Sequence, residues 1–598
     1  MRRAVVAAGV AALFAGANAS ADGNANANAG RVVATRALTA LDDARGCAPL
    51  SGGGFAVATG GGLAMIARDG RVRALTSIDG LPETRVHAVV EQRDGVWIGT
   101  EGGAAFVSTT GSDAPKVVRT ALTAPVQAVH VSQGGAVYLG TRGAGVYRLA
   151  ARDSAPELLR TSVKGTRVAA MAEKDGTLYV AYADGPLAKL ASGILVGVDR
   201  SPTHGQALAS VGGELLLGDL EGLFKIDATG VTSIASVDAR GLAASGTSVM
   251  VATWGSGLMT GTTRGALRAE ASIPKMARAV SVLGTSRCVA TTDGVFVDDG
   301  KGTFHKIALG GPTSNDVTAI APDATGRRVA VGTFDSGASI YGAGSASRIP
   351  GLERNETISA MTWQGDKLWV GTAHGLVRVN ADGSARRFTS HDGLPHSYAR
   401  AVHVLSTGRV LVGTDAGPAF VDGDRVTPLF PFKKDAPVPI ASPMHAVWAV
   451  ASAADGTLYI GTAAGLYHGK DGRFERASLA SGELEDDWVT ALAVDGNDVY
   501  VGTYAKGVTR LAFGDAATRK KPVATHLGGG YVNTDGLVVS NGTIYVATMD
   551  HLLSRAKSDD AAKWTSQPSA APGRDVTQVR FIGSETWVAS RRGIGIAR

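Results

Sequence analysis

The chain has 598 residues, of which 80 are glycine, while 19% are charged and 6% are aromatic. This length exceeds one ordinary domain, and glycine at this frequency excludes a long coiled coil. The 59 basic and 53 acidic side chains leave a formal charge of +6 with no dense basic run, so nucleic acid is not an expected partner.

The first thirty residues have the features of an export signal. Two arginines precede an apolar run over residues 4–15, and closely spaced alanines after it offer an A-x-A cleavage site. We therefore expect a signal peptide over residues 1–19 and a flexible Asn/Ala/Gly spacer over residues 20–30. No cysteine near the cleavage site can accept a lipid, and no later apolar run is long enough to span a membrane. The sequence predicts a periplasmic or secreted protein.

The rest of the chain repeats itself fourteen times. Each copy holds an apolar, β-rich segment that ends in Gly or Ala, usually followed by Thr, a polar turn and a second apolar segment. The aligned small residues are Ala58, Gly99, Gly140, Ala181, Gly218, Ala252, Ala290, Gly332, Gly371, Gly413, Gly461, Gly502, Ala547 and Ala589. A spacing of 34 to 48 residues, with only strand-like segments between, is typical of a four-stranded propeller blade.

One repeat can be divided into its strands. The predicted inner, second, third and outer strands are residues 85–90, 95–100, 104–108 and 116–120. The second strand is apolar at nearly every position, as expected of a strand that is covered on both faces. Gly99 at its end lets the next blade approach closely, and the Thr100 hydroxyl can bond to the backbone of the following turn.

The fourteenth repeat lacks a fourth strand, because its last strand-like segment is residues 594–598. A segment at residues 31–39 precedes the first repeat, and we expect it to be the outer strand of the last blade, which removes an exposed sheet edge. One ring of fourteen blades would leave too wide a central hole, so two rings are favoured. The predicted fold is all-β, with one seven-bladed propeller over residues 31–311 and another over residues 312–598.

Two of the repeats also resemble a known family. The segments Asp79-Gly80-Leu81-Pro82, Val86-His87-Ala88-Val89-Val90 and Asp94-Gly95-Val96-Trp97-Ile98-Gly99-Thr100 look like a two-component regulator propeller repeat, and a second copy begins at Asp392-Gly393-Leu394-Pro395. The resemblance implies two seven-bladed propellers that act as the extracytoplasmic sensor of hybrid histidine kinases, often for oligosaccharides. No kinase follows the last repeat, so we expect a free-standing sensor-like protein whose partner is a separate sensor kinase or an envelope protein.

Functional residues are expected on loops, because the strands of a propeller are used for packing. Loops that follow second strands and loops that precede inner strands open on one face, and those of the second propeller are the richer in polar residues. The ligand-binding candidates are His374, His396, Trp488, Tyr504, Lys506, Asp550 and Arg591. Other polar residues of these loops are Asp335, His391, Asp392, Tyr398, Lys433, Lys434, Asp435, Glu483, Glu485, Asp486, Asp487, His551 and Arg592. These residues could bind a glycan or a peptide. The alternative for each of them is an ordinary solvated loop residue with no binding role.

Catalytic motifs are weak by comparison. The sequence has no H-E-x-x-H or C-x-x-C metal signature, no P-loop, no dinucleotide fingerprint and no G-x-S-x-G elbow, so we expect no cofactor and no dedicated metal. The acidic stretch at residues 483–487 can supply two glycosidase carboxylates, but the aspartate-box repeats of tandem-propeller hydrolases are missing. The sequence favours a non-catalytic ligand-binding protein over two alternatives, a polysaccharide hydrolase or lyase and an envelope scaffold.

The only two cysteines fall on blades that are neighbours in a seven-bladed ring. Cys47 lies on the predicted inner strand of blade 1 and Cys288 on the predicted second strand of blade 7. In an exported chain they can form a disulfide across the seam of the first propeller, or they can pack as two buried thiols.

Overall fold

A computed structural model describes residues 31–109, 115–227, 230–264, 266–298, 300–342, 345–430, 444–514 and 521–598. The predicted signal peptide, the spacer and the loop residues Lys433, Lys434 and Asp435 lie outside the described residues. The described chain forms fourteen β-sheets, one for each repeat, which are numbered as blades 1 to 14 in chain order. The predicted all-β fold of fourteen blades in two seven-bladed propellers is confirmed.

Blades 1 to 7 form the first propeller, a compact unit over Ala40–Gly310. Their inner strands are Ala44–Pro49, Val86–Gln92, Val126–Val131, Val168–Lys174, Ala207–Val211, Ala239–Ser245 and Ala277–Leu283. The second strands are Phe55–Thr59, Gly95–Thr100, Val137–Thr141, Thr177–Tyr182, Glu214–Gly218, Ser248–Thr253 and Ser286–Thr291. The third strands are Gly62–Ile66, Gly103–Ser108, Val146–Leu149, Ala188–Ala191, Leu223–Asp227, Gly257–Thr262 and Gly294–Asp298. The outer strands are Val72–Leu75, Val117–Arg119, Glu157–Leu158, Ile194–Gly197, Gly230–Ala235, Arg268–Ala269 and His305–Ile307.

Blades 8 to 14 form the second propeller, a unit made of Gly311–Arg598 and the chain up to Thr39. Their inner strands are Val317–Pro322, Ile358–Gln364, Ala399–Val404, Val447–Ser452, Val489–Asp495, Leu537–Ser540 and Val576–Ile582. The second strands are Val329–Thr333, Lys367–Thr372, Val410–Thr414, Leu458–Thr462, Asp498–Thr503, Thr543–Thr548 and Glu585–Ser590. The third strands are Ala338–Gly342, Gly375–Val379, Gly417–Asp422, Gly465–Lys470, Gly507–Ala512, His551–Ala556 and Gly593–Ala597. The outer strands are Ser345–Arg348, Ala385–Phe388, Arg425–Pro428, Arg473–Ala477, Val523–Gly528, Thr565–Gln567 and Arg36–Leu38.

Blade 4 departs from the predicted four strands. A short strand, Arg160–Thr161, pairs in parallel with its outer strand and makes the sheet five-stranded. The chain that leaves the outer strand of blade 3 runs along the outer edge of blade 4 before it enters the inner strand. Blade 4 therefore contains the four predicted strands and one more, by which the connecting segment covers a sheet edge.

The small residue at the end of each second strand allows the blades to pack closely. A Cβ atom on Gly99 would lie 2.7 Å from Cγ1 of Val126, which begins the inner strand of the next blade. On Gly413 it would lie 2.4 Å from Cγ1 of Val447. The inner strands of consecutive blades contact one another, and the contacts of blade 7 with blade 1 and of blade 14 with blade 8 close each ring.

The Asp-Gly-Leu-Pro segments form short capped turns. In the 3-10 helix Ser77–Asp79, the backbone N–H of Thr76 donates to the carboxylate of Asp79 at 2.8 Å. The helix ends at Gly80, whose φ of 102° is in the left-handed region that favours glycine. The second copy, Ser390–Asp392, has the same caps. The residues that carry the family resemblance therefore have a structural role in the turn between blades.

The strand Arg36–Leu38 pairs antiparallel with Gly593–Ala597. The backbone N–H of Thr35 also donates to the carbonyl oxygen of Ile596 at 2.8 Å. Segment 31–39 thus supplies the fourth strand of blade 14, and the second propeller contains strands from both ends of the described chain.

Cys47 and Cys288 form a disulfide with their Cα atoms 6.2 Å apart. Both residues are buried, in a cluster that includes Val57 of blade 1 and Val295 of blade 7. The bond joins the inner strand of blade 1 to the second strand of blade 7, where the ring of the first propeller closes.

Candidate functional site

A recurring irregularity marks the first residues of the inner strands. In every blade except 5 and 13, the pairing with the second strand shifts near its start and leaves one residue without a strand partner. These bulge residues are Arg45, His87, Gln127, Ala169, Arg240, Arg278, Thr318, Ser359, Arg400, Trp448, Thr490 and Thr577. A bulge redirects a side chain, so this position can carry functional groups on a scaffold of packed strands.

In the second propeller most bulge residues are small and carry a hydroxyl group. Oγ1 of Thr318, for example, donates to the carbonyl oxygen of Ile358 at 2.8 Å and so ties the inner strands of blades 8 and 9 together. Arg400 and Trp448, on the adjacent blades 10 and 11, are much larger. These two residues begin the candidate site.

Arg400 lies between two aromatic rings. Its guanidinium group is 4.1 Å from the ring centre of Trp448 and 4.3 Å from that of Tyr398, distances at which a cation is attracted to the ring face. It also forms an ion pair with Asp415, in the turn after the second strand of blade 10. Only 9% of Arg400 is exposed, so the guanidinium is held in a fixed position.

Four aromatic side chains, which we call the aromatic cluster, continue from Arg400 across blades 11, 12 and 13. The ring centres of Trp448 and Trp488 are 5.3 Å apart. Trp488 and Tyr504 are stacked with centres 4.3 Å apart and planes inclined by 14°. Tyr531 meets Tyr504 edge-on at 5.0 Å. The cluster therefore joins an inner strand, two loops that precede inner strands and one turn that follows a second strand.

Asp486 fixes the stacked pair. One of its carboxylate oxygens accepts a hydrogen bond from the backbone N–H of Trp488 at 3.1 Å. The other accepts from the N–H of Ala505, beside Tyr504, at 2.9 Å. The carboxylate thus bridges the loop and the turn that carry the two rings, which explains why an acidic residue precedes Trp488.

The site contains polar hydrogens without partners. Nε1 of Trp448, Nε1 of Trp488 and Nη1 of Arg400 are buried, and no hydrogen-bond acceptor among the described residues reaches them. Buried donors are usually satisfied, and an unsatisfied one costs about 1–3 kcal/mol. Three such donors on neighbouring side chains are therefore suited to donate hydrogen bonds to oxygen atoms of water or of a ligand.

A charged group lies at the other end of the cluster. Arg591, in the turn of blade 14, forms ion pairs with Asp316 and, at 3.7 Å, with Asp575. Burial raises the pKa of Asp575, although the charge of Arg591 opposes this effect. Burial also raises the pKa of Tyr531 to about 12, with Tyr504 and Asp575 adding to the shift. The Tyr531 hydroxyl is therefore protonated at neutral pH and can donate a hydrogen bond.

The remaining predicted ligand-binding residues have other surroundings. Nδ1 of His374 lies 3.0 Å from the carboxylate of Glu356, which also binds Arg387. Nδ1 of His396 accepts a hydrogen bond from the backbone of Tyr398 at 3.0 Å. His374 therefore belongs to a separate polar cluster, whereas His396 contacts the backbone of Tyr398, whose ring lies beside Arg400.

Asp550 and Lys506 are exposed. Asp550 accepts a hydrogen bond from Nε of Arg574 at 2.8 Å. Lys506 occupies the tight turn that follows Tyr504, where its backbone N–H donates to Oγ1 of Thr503 at 3.3 Å. Trp488 and Tyr504 are therefore the pair of predicted residues that the structure brings into direct contact.

The acidic stretch at residues 483–487 holds its own loop together. Glu483 is 7% exposed and lies 3.3 Å from Nζ of Lys521. Burial raises the pKa of Glu483, but hydrogen bonds from Ser481 and Lys521 outweigh it and lower the pKa overall. Asp487 accepts from the backbone N–H of Leu479 at 2.7 Å. A general acid needs a raised pKa, so the lowered pKa of Glu483 does not suit it to the role of a glycosidase acid.

Sequence analysis missed Arg400, Trp448 and Tyr531. Arg400 and Trp448 each lie 13 positions before an aligned small residue, Gly413 and Gly461, and the other bulge residues lie 12 to 14 positions before theirs. A comparison of this position across the fourteen repeats would have distinguished these two large side chains from the small side chains of the neighbouring blades. Tyr531 lies in the loop before the inner strand of blade 13, outside the repeated strand positions, and gives no such signal.

Two further properties concern the described residues alone. They contain no group of three or more His, Cys, Asp or Glu side chains that could hold a metal ion. Among them, too, there is no helix with the length and apolar character needed to cross a membrane.

No family model and no curated protein matches the sequence. Solved structures do match. PorZ, a bacterial surface component of the type-IX secretion system of Porphyromonas gingivalis, is 14% identical, with a TM-score of 0.72 over 94% of this chain and 86% of that one. An ancestral GH74 enzyme is 13% identical, with a TM-score of 0.64 over 95% and 98% of the two chains.

The extracellular domain of a B. thetaiotaomicron protein, described as a hybrid two-component system, is 13% identical with a TM-score of 0.39 over 95% of this chain and 83% of that one. At that TM-score it carries no argument. At identities of 13–14% the other two likenesses concern the fold alone. The chain is a tandem β-propeller.

Proposed function

We propose that this chain is an exported, non-catalytic ligand-binding protein whose principal site is the aromatic cluster of the second propeller. The observation that carries the proposal is the stacked pair of Trp488 and Tyr504, with Tyr531 set edge-on beside it. Export rests on the sequence of the first nineteen residues.

A glycan is the ligand class that the site fits best. The apolar face of a sugar ring packs against an aromatic ring, and its hydroxyl groups bind nearby donors and acceptors. Here the unpartnered Nε1 atoms of Trp448 and Trp488 and the protonated hydroxyl of Tyr531 are donors beside the rings. A peptide is the second candidate, because Arg400 and Arg591 can each bind a carboxylate.

The carboxyl groups favour binding over hydrolysis. The pKa of Glu483 is lowered, and Asp486 and Asp487 accept hydrogen bonds from their own loop. Asp575 lies at the edge of the cluster and has a raised pKa. If the protein were a glycosidase, Asp575 would be its general acid. The hydrolase alternative therefore makes a specific prediction: glycan cleavage that Asp575→Asn abolishes.

The partner of such a protein is a separate sensor kinase or an envelope protein, and the two differ in how the ligand acts. In a sensor, binding of the ligand to the aromatic cluster changes the affinity for the kinase. In a scaffold, the envelope protein binds equally well with and without the ligand. Pull-down from an envelope extract in the presence and absence of the ligand distinguishes them.

The binding site is tested with a glycan array followed by calorimetry on the best-bound glycan. We expect the double variant Trp488→Ala, Tyr504→Ala to weaken binding at least about tenfold, or about 1.4 kcal/mol, because both stacking faces are lost. Leu479→Ala is the matched control, since Leu479 is an exposed apolar residue of the same loop and is 56% exposed.

The control variant should bind as the wild type does. Equal affinity of the double variant and the wild type would refute the site. Release of shortened glycans during the binding experiment would refute the non-catalytic part of the proposal and support the hydrolase alternative.

A further inference from the structure

The bulge residues of the first propeller differ from those of the second. Four consecutive blades around the ring, 6, 7, 1 and 2, carry Arg240, Arg278, Arg45 and His87 at this position. All four side chains are partly exposed. The first propeller thus presents a row of basic side chains where most second-propeller bulges carry hydroxyl groups.

An exposed indole lies beside two of these arginines. Trp254 follows the second strand of blade 6 and is 39% exposed. The guanidinium groups of Arg240 and Arg278 are 5.7 Å and 5.9 Å from its ring centre. An indole flanked by two cations is a platform for a ring that itself carries negative charge.

The backbone holds Trp254 in place. Its N–H donates to the carbonyl oxygen of Asp238 at 2.9 Å, and Trp254 forms an isolated β-bridge with Met276. The next residue, Gly255, donates to the carbonyl oxygen of Lys275 at 2.7 Å. The turn is therefore fixed to the loops that lead into blades 6 and 7, which carry the two arginines.

The arginines keep free donors. Arg240 uses Nε and Nη2 to bind the carboxylate of Asp238. Arg278 binds Asp43 through Nη1, and Asp43 also binds Arg45. Within the described part of the chain, no hydrogen bond engages Nη1 of Arg240 or Nη2 of Arg278. The existing carboxylates orient the two guanidinium groups without using all of their hydrogens.

The second propeller supplies an independent parallel. There the bulge residue Arg400 lies 4.1 Å from the ring centre of Trp448, on the adjacent blade. Both propellers thus place the guanidinium group of a bulge residue beside an indole, although Trp448 lies on an inner strand and Trp254 in the turn after a second strand. The first propeller has two guanidinium groups where the second has one, and its indole is far more exposed, at 39% against 7%.

We propose that Trp254, Arg240 and Arg278 form a second binding site, for a carboxylated sugar. The sugar ring stacks on the indole of Trp254, and its carboxylate accepts hydrogen bonds from the free Nη atoms of the two arginines. A planar guanidinium group matches the geometry of a carboxylate. This site uses none of the residues of the aromatic cluster and does not depend on the function proposed for it.

The test uses trigalacturonic acid and, as the uncharged comparison, the galactose trimer made by reducing its carboxyl groups. Calorimetry on the full chain should show binding of the acidic trimer that is at least about tenfold tighter than that of the neutral trimer. Binding of the acidic trimer should weaken as salt is raised from about 50 mM to about 300 mM, because the ionic contacts are partly exposed.

Variants separate this site from the aromatic cluster. Trp254→Ala and Arg278→Gln should each raise the Kd for the acidic trimer at least about tenfold. Leu220→Ala is the matched control, since Leu220 occupies the corresponding turn of blade 5 and is 43% exposed. Leu220→Ala and the Trp488→Ala, Tyr504→Ala double variant should bind as the wild type does.

Three results would overturn the proposal: no binding of the acidic trimer, equal affinity for the two trimers, or an unchanged Kd in Trp254→Ala. Loss of binding in the aromatic-cluster variant instead would assign the acidic sugar to the second propeller. Failure of Trp254→Ala to change the Kd leaves the aromatic cluster untested, and unchanged glycan binding in the Trp488→Ala, Tyr504→Ala variant leaves this site untested, so the two proposals fail separately.

Discussion

The disulfide between Cys47 and Cys288 stabilises the first propeller at the point where its ring closes. The two residues are 241 positions apart in sequence, so the bond encloses almost the whole ring in one covalent loop. In the chain-entropy treatment, a cross-link that closes a loop of that length stabilises the folded state by about 5 kcal/mol. The stabilisation arises because the cross-link reduces the conformational entropy of the unfolded chain.

Two perturbations measure this contribution. Reduction of the wild type removes the cross-link and keeps both sulfur atoms. The double variant Cys47→Ala, Cys288→Ala removes the sulfur atoms as well, and these are buried against Val57 and Val295. We expect the first propeller to lose up to about 5 kcal/mol on reduction, and somewhat more in the variant, because the removed sulfur atoms leave small cavities.

Hydrogen exchange followed by mass spectrometry along a urea titration assigns the change to one propeller. Peptides from residues 40–310 should become unprotected at lower urea concentration after reduction, while those from residues 311–598 should keep their midpoint. A non-reduced digest should contain the linked Cys47 and Cys288 peptides. Identical midpoints for residues 40–310 before and after reduction, or a shift confined to residues 311–598, would refute the reasoning.

Two further predictions concern the second propeller. Burial raises the pKa of Asp323, but hydrogen bonds from Arg328 and neighbouring residues outweigh burial and lower this pKa from 3.8 to about 2. The ionised carboxylate therefore stabilises the folded protein above pH 4, and this stabilisation is lost as the pH falls toward 2. Asp323→Asn should cost about 2 kcal/mol at pH 7 and little at pH 2 in urea unfolding, and a pH-independent difference would contradict this. Gly413→Ala brings a Cβ within 2.4 Å of Cγ1 of Val447 and should cost about 1–3 kcal/mol by urea unfolding, whereas Gly52→Ala, with no atom within 4 Å, should be neutral. Equal stability of the two glycine variants would remove the packing explanation.

The blades could be predicted from sequence because their packing depends on contacts that recur in every repeat. Gly99 and Gly413 occupy the same place in their blades and meet the same part of the next inner strand. The close packing of neighbouring blades requires a small residue at the end of each second strand. The number of such residues along the sequence, and their regular spacing, therefore predict the number of blades. The short strand Arg160–Thr161 arises from one irregular connection, and no repeating pattern could indicate it.

The candidate sites could be predicted only in part. Trp488 and Tyr504 stand out because they are large aromatic residues on polar loops. Their contacts with Trp448 and Tyr531 connect three blades and depend on how those blades are placed in the ring. Trp254 is also an aromatic residue in such a turn, but the arginines beside it lie on inner strands, where packing residues are expected.

The strand Arg36–Leu38 has a consequence for the order in which the protein folds. It precedes the whole first propeller in sequence, yet the strand that it pairs with follows every other described strand, and the bonded residues Thr35 and Ile596 are 561 positions apart. The first propeller has all of its strands once residue 310 is available, and its ring can close while the second is still incomplete. The second needs residues 594–596 before the strand Arg36–Leu38 can pair, so its closure depends on a contact of very long sequence separation, and such contacts slow folding.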